Sequence, residues 1–319
     1  MSTPDFRNYA YLLDFSQKNL ANFLVKKLEK IYKKDNVCFI ENVGIIALNP
    51  SANPKSTLIA HLDTINTHRL KTLENYNISE NLVNNNGFLE FSEKTKHDNY
   101  YSCVGFDDRA GVATCLEIIN QSETKAALPN IIFCFDEEIG GTVPEFINHE
   151  KSKPFFKNLK TNVLIEIDTP NVSTETFREF GFAYNFYNEN LKTICENLGY
   201  IEHSGPAITD INDFNNILSI PAISLSASYE KEHSVHERLS LSAWSDNAQR
   251  LQQLMKITEN KEFKNEKRDI YHSDYYDENI YLSLFDEMES LLYSYEIDEQ
   301  MNDEIMNFIY EKFMENNLL

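Results

Sequence analysis

No stretch of this 319-residue sequence approaches the roughly 18–20 consecutive apolar residues that a membrane span requires. Met1 does not open a basic start leading into an apolar run either, since Ser2, Thr3, Pro4 and Asp5 follow it, and a cytoplasmic protein is expected. Cysteine is scarce: Cys38, Cys103, Cys115, Cys134 and Cys195 are odd in number, widely spaced and mostly set among apolar neighbours. That pattern fits reduced core thiols and argues against a disulfide framework or a Cys-based zinc site. Glycine is low at 9 residues, and neither GxGxxG nor GxxxxGK(S/T) occurs, which weakens a nucleotide-binding reading. Basic charge is short as well, 29 Lys and Arg against 50 Asp and Glu. The resulting net charge of -21 argues against nucleic acid and anionic membranes as partners, because both need clustered cations.

What is present is ordinary globular material, 42% hydrophobic and 25% charged, enough for a sizeable core. The acidity is unevenly placed. From Asp269 onward fourteen Asp or Glu face the single Lys312, a balance of -13, which leaves -8 for everything before it. The charged stretch at 259–269 reads as a linker. Beyond it, in 270–319, Ile280, Leu284, Met288, Leu291 and Tyr295, then Met301, Ile305, Phe308, Ile309 and Phe313, predict two amphipathic helices with acidic outer faces. Their apolar stripes need a surface to cover, either the main domain or a second subunit; a lid is the sharper alternative.

Residues 1–258 read as one catalytic-size α/β domain. Apolar positions at helical spacing mark 5–34, and VCFIENVGIIALNP predicts a hairpin hinged near Asn42 to Gly44. STLIAHLD predicts a strand, 74–99 loops with an irregular strand or two, and RAGVATCLEIINQ a buried helix. Strands and helices then alternate: NIIFCF, a helical stretch near 143–158, TNVLIEI, a helix at 188–199, PAISLSA and a last helix at about 240–256. Short, continuous, β-branched runs separated by helices predict a three-layer α/β/α doubly wound sheet covered on both faces.

Four of those strands stop at an acid, a histidine or a short loop that supplies one. LIAHLD ends at His61 and Asp63, IIFCFDEE at Asp136, Glu137 and Glu138, and VLIEID at Asp168, while AISLSASYEKEH reaches His233. VGFDDRAGVA adds Asp107 and Asp108 just before a helix. In an open α/β sheet the ligand site lies beyond the carboxyl ends of the strands, so these residues can converge. So many carboxylates cannot stay ionised together without positive charge, and a pair of divalent metals would supply it. Mixed His and carboxylate ligands suit zinc, cobalt or manganese.

The ordered set AHLDT, VGFDDRAG, DEEIGGT, IEID and EHSVHE, spread over residues 60–237, resembles the co-catalytic zinc exopeptidases. These are aminopeptidases, glutamate carboxypeptidases, peptidase T-like tripeptidases and related amidohydrolases sharing one catalytic domain. The resemblance implies one metal on His61, Asp107 and Asp168, and a second on Asp107, Glu138 and His233, with Asp107 bridging. It implies that Asp63 accepts the other ring N–H of His61. Glu137 would be the general base, taking a proton from water held between the metals and passing it to the leaving amine. A cis bond at Asp107–Asp108 is implied too. His236 competes with His233, but the spacing H-x-x-x-E to Glu237 favours His233. Asp210 and Phe214 of AITDINDF match a segment in which the Asp shapes the pocket and the Phe packs beneath it. Asp136 is expected to cap or orient its loop, Arg109 to pair with local carboxylates, and His68, His97, His203 and His272 to be exposed or locally bonded.

The 65 positions from Asp168 to His233, and the 44 from Asp63 to Asp107, leave no room for the large lid domains inserted in other branches. The compact form is usually an aminopeptidase. Between Asp168 and His233 the only arginine is Arg178, which disfavours a carboxypeptidase, while acids for a substrate amine are plentiful. The expectation is hydrolysis of small peptides from the amino end with two divalent metals, zinc first. The rivals are a carboxypeptidase, a deacylase of N-acyl amino acids, and a catalytically silent scaffold recruiting a partner through its acidic tail.

Overall fold

The computed structural model describes residues 3–50, 55–70, 75–97, 100–171, 176–203, 207 and 209–266. These belong to one compact unit, Met1–Glu266. The two amphipathic helices expected within 270–319, and His272, lie outside the described residues.

The expected leading helix is shorter than its apolar pattern. Tight 3-10 turns at Phe6–Asn8 and Ala10–Asp14 come first, and α1 (Gln17–Tyr32) starts only where the Ser16 hydroxyl accepts the Asn19 N–H. β1 (Val37–Ile40) and β2 (Gly44–Ala47) form the expected hairpin, turning through Asn42 at φ 59°. Then come β3 (Lys55–His61), α2 (Ile65–Arg69), a second hairpin of β4 (Leu82–Asn85) and β5 (Phe88–Phe91), α3 (Glu93–His97) and α4 (Phe106–Gln121). They are followed by β6 (Asn130–Cys134), α5 (Val143–Asn148), α6 (Lys153–Asn158), β7 (Thr161–Thr169), β8 (Glu179–Phe182), α7 (Glu189–Asn197) and β9 (Ile201–Glu202). The last are α8 (Ile211–Leu218), β10 (Ala222–Ser226), β11 (Tyr229–Glu230), β12 (Arg238–Ser240) and α9 (Leu241–Thr258).

Eight strands make one mixed sheet in the order β1-β2-β6-β3-β7-β10-β8-β9. Its centre, β6, β3, β7 and β10, is parallel. These strands carry near-continuous apolar runs because both faces are covered. On β7, Ile167 lines one face together with Trp244 and Leu251 of α9, while Glu166 on the other receives the Ile211 N–H at the start of α8. The layers are therefore α/β/α.

A second, four-stranded sheet runs β11-β12-β5-β4. Its hairpin falls in the stretch read as mostly loop, and Leu89 of β5 stands opposite Leu239 of β12, both buried. β8, β9, β11 and β12 fall where the sequence predicts no element, because runs of 2–4 residues are too short to display a period; α8, only about two turns long, is unpredicted as well. The described part of the charged 259–269 segment packs back onto the unit. Phe263 is buried, and the Glu266 carboxylate accepts the Glu189 N–H at 2.9 Å and the Asn188 side chain at 3.0 Å.

Candidate active site

Parallel pairing brings the acid-bearing strand ends to one edge. His61, the last residue of β3, is in register with Cys134, the last of β6, which runs on into Asp136, Glu137 and Glu138. Asp168 stands at the matching end of β7, and Asp107 and Asp108 open α4 across a cis peptide. His233 comes from the turn between β11 and β12, where its φ is 58°.

The imidazoles meet the carboxylates in a chain. His61 Nε2 lies 3.0 Å from Asp107 Oδ1 and 3.5 Å from Asp168 Oδ1. His233 Nε2 lies 3.1 Å from Asp107 Oδ2 and 2.8 Å from Glu138 Oε2. Asp107 thus turns one oxygen to each histidine, the arrangement a bridging ligand needs. These separations match the edge of a tetrahedron of zinc ligands, about 3.3 Å for bonds of about 2.0 Å. Glu138 Oε1 is buried with no hydrogen-bond partner, an orphaned acceptor that a cation would satisfy. The donor set of two imidazoles and three carboxylates therefore fits a pair of divalent metals.

Without metals the histidines carry the balancing charge. Burial works to lower the His233 pKa, but hydrogen bonds to Asp107 and Glu138 outweigh it and push the value up to about 11. His61 is raised well above its usual value in spite of burial, by the charge of Asp168 and by hydrogen bonds to Asp107 and Asp168. Burial raises Glu137 to about 7, with Asp107, Glu166 and Glu138 adding to it, so its carboxylate is basic enough to accept a proton near neutrality.

Asp63 does more than the sequence implies. Its Oδ1 faces His61 Nδ1 at 3.3 Å without the alignment of a full hydrogen bond. Its oxygens also accept the N–H groups of Glu137 and Glu138, each at 3.1 Å, and the His68 ring at 2.8 Å. It anchors the loop that carries the candidate base and a candidate ligand. Asp108 is within metal-binding reach of His61 and Asp168. Its oxygens, however, accept the His61 N–H at 3.2 Å and the Gly111 N–H at 2.8 Å, so its role is to brace β3 against α4. Asp210, buried with an unpartnered Oδ2, stands beneath Gly141 of the loop that carries Glu137 and Glu138, and Phe214 is buried against Phe156. Asp136 accepts Gln17 Nε2 at 3.1 Å. Arg109 departs from expectation: fully buried, it donates to the Leu62 and Phe15 carbonyls rather than to a carboxylate, and burial lowers it to about 10. His236 is exposed and makes no side-chain contact to the cluster.

Three residues near the site carry roles the sequence does not reveal. Glu166 is fully buried and raised by burial to about 7; it accepts the Thr209 hydroxyl and the Ile211 N–H. An acid inside the apolar run VLIEI is the signal that could have found it. Tyr229 donates to Asp168 Oδ1 at 3.0 Å, and Glu237 accepts the Gly105 and Asp107 N–H groups. Tyr229 has no local signature. His68, set aside as locally bonded, is bonded to Asp63.

No protein-family model matches the chain, and no curated protein matches it. Solved structures do. A tripeptidase from Staphylococcus aureus superposes with TM-score 0.53 at 14% identity, covering 80% of this chain and 96% of that one. Aminopeptidase PepT from Bacillus cereus gives 0.53 at 11%, covering 79% and 96%. The chain has the fold of the zinc exopeptidase clan. A TET aminopeptidase from a marine sediment archaeon, at TM-score 0.50 and 10% identity, covers 79% of this chain and 94% of its own. In this exopeptidase fold the cluster of His61, Asp107, Glu138, Asp168 and His233 sits at the carboxyl edge of the sheet.

Proposed function

We propose that the chain is a two-metal hydrolase that removes residues from the amino end of small peptides. The observation that carries this reading is Asp107, whose two oxygens face the two histidines while Glu138 and Asp168 close the set on either side. His61, Asp107 and Asp168 would hold one divalent ion, and Asp107, Glu138 and His233 the other. Bound there, the ions would polarise the scissile carbonyl and lower the pKa of the attacking water. Glu137, next to Glu138 but outside the histidine contacts, would take that water's proton and hand it to the departing amine. Asp63 would hold the Glu137 main chain while the proton moves.

Arg178, the one arginine between Asp168 and His233, is paired with Asp246 at 2.9 Å. Arg238 is tied to Glu230 and Arg109 is buried on carbonyls. None of the three is free for a substrate carboxylate, which favours an aminopeptidase over a carboxypeptidase. Glu232, partly buried beside His233, pairs with no cation among the described residues and suits a substrate ammonium.

The test is metal content paired with a screen of amino-acid anilides and of di- and tripeptides, free and N-acylated. Cleavage of free-amine substrates by protein holding about two zinc per chain is expected. Cleavage of blocked substrates alone would make it a deacylase, and absence of both metal and turnover would leave the scaffold reading. Glu137→Gln should keep the metals and lower kcat by about 10²–10⁴.

A further inference from the structure

The turn bearing His233 hangs from the small sheet, whereas Asp107 belongs to the loop entering α4. Glu237 joins them. Its carboxylate is fully buried and meets no cation among the described residues. Oε2 accepts the Gly105 N–H at 2.6 Å and Oε1 the Asp107 N–H at 2.9 Å. Its own N–H donates to Ser234 O at 3.0 Å, closing the turn that begins at His233.

The anchor behind Glu237 is firm. Arg238, the next residue, opens β12, which pairs with β11 on one side and β5 on the other. The Arg238 guanidinium bonds Glu230 at 2.5 Å and lies 4.2 Å over the Phe88 ring. A buried carboxylate is costly to keep in a core, and two amide donors on one metal-ligand loop give it a definite job.

We propose that Glu237 is a positioning residue whose two-pronged clamp holds the Asp107 main chain against the His233 turn, so that a single carboxylate can serve both metal sites. The proposal rests on the two-metal reading above. Its consequence is that the ion held by Glu138 and His233 depends on Glu237 more than the ion held by His61 and Asp168.

The experiment is zinc binding by the full chain in competition with a chromophoric chelator. Glu237→Gln presents an amide N–H₂ to one of the two main-chain donors, and it should weaken one of two zinc sites about 10–100-fold. The other site should stay within about threefold of wild type. A double-mutant cycle with His233→Ala separates positioning from a general loss of structure. With His233 removed, Glu237→Gln should weaken the remaining site by less than about threefold. Equal losses at both sites, additive losses in the cycle, or two sites of wild-type affinity in Glu237→Gln would each overturn the proposal. Should Glu237→Gln fail to fold, Glu237→Asp, which keeps the charge but reaches one N–H, is judged by the same criteria. A wild-type chain that binds no zinc would instead sink the two-metal reading itself.

Discussion

Asp63 carries more of the site than a residue two positions past a ligand suggests. Burial works to raise its pKa, but the close His61 and His68 imidazoles outweigh it and hold the value well below the usual carboxylate range. Asp63→Asn would turn an amide donor toward one of the Glu137 and Glu138 N–H groups. We expect about a 10–100-fold loss of zinc affinity, read by chelator competition; unchanged affinity would mean that the loop is held elsewhere. A second prediction concerns the metal-free protein. The folded His233 pKa of about 11 stands above the unfolded value near 6.5, so its stabilising effect is fully present below about pH 6.5 and fades as pH rises toward 11. The metal-free melting temperature should therefore fall over that range, about 2–4 °C for each kcal/mol lost. The zinc-loaded protein should not follow it, because the metals replace the lost proton.

At the scale of elements, the site depends on how closely α4 approaches β7. A Cβ on Gly111 would collide with the Ile167 carbonyl and the Asp108 carboxylate. Gly111→Ala should cost about 1–3 kcal/mol, read as a lower melting temperature, and should weaken zinc binding through displaced Asp108. A wild-type melting curve would show that α4 can move without penalty. The β4–β5 hairpin shows why some elements were illegible. Its four-residue strands read as irregular within an Asn-rich stretch, and only pairing with β12, distant in sequence, makes them a sheet. Single acids such as Glu137, by contrast, could be found because each follows a strand whose apolar run is plain.

For the molecule as a whole, the described residues form one unit ending at Glu266. A chain truncated after Glu266 should melt cooperatively and bind the same zinc; a truncated chain that stays unfolded would show that residues 267–319 are needed for the fold. Removing metal from the intact chain should lower its stability. Zinc at 100 times its Kd adds about 2.7 kcal/mol for each site, and a melting temperature indifferent to chelator would count against structural coupling of the ions.

The sequence by itself determined the class of the fold, the reduced cysteines and the ordered list of acids and histidines. Those properties follow from composition and from strands long enough to show their period. Which groups each acid meets was decided only by the tertiary structure. Asp107 faces two imidazoles, Asp108 turns away to main-chain donors, and Asp63 and Glu237 tie loops together. A carboxylate's role is set by what lies within about 3 Å of its oxygens, and here those neighbours come from strands far apart in the chain.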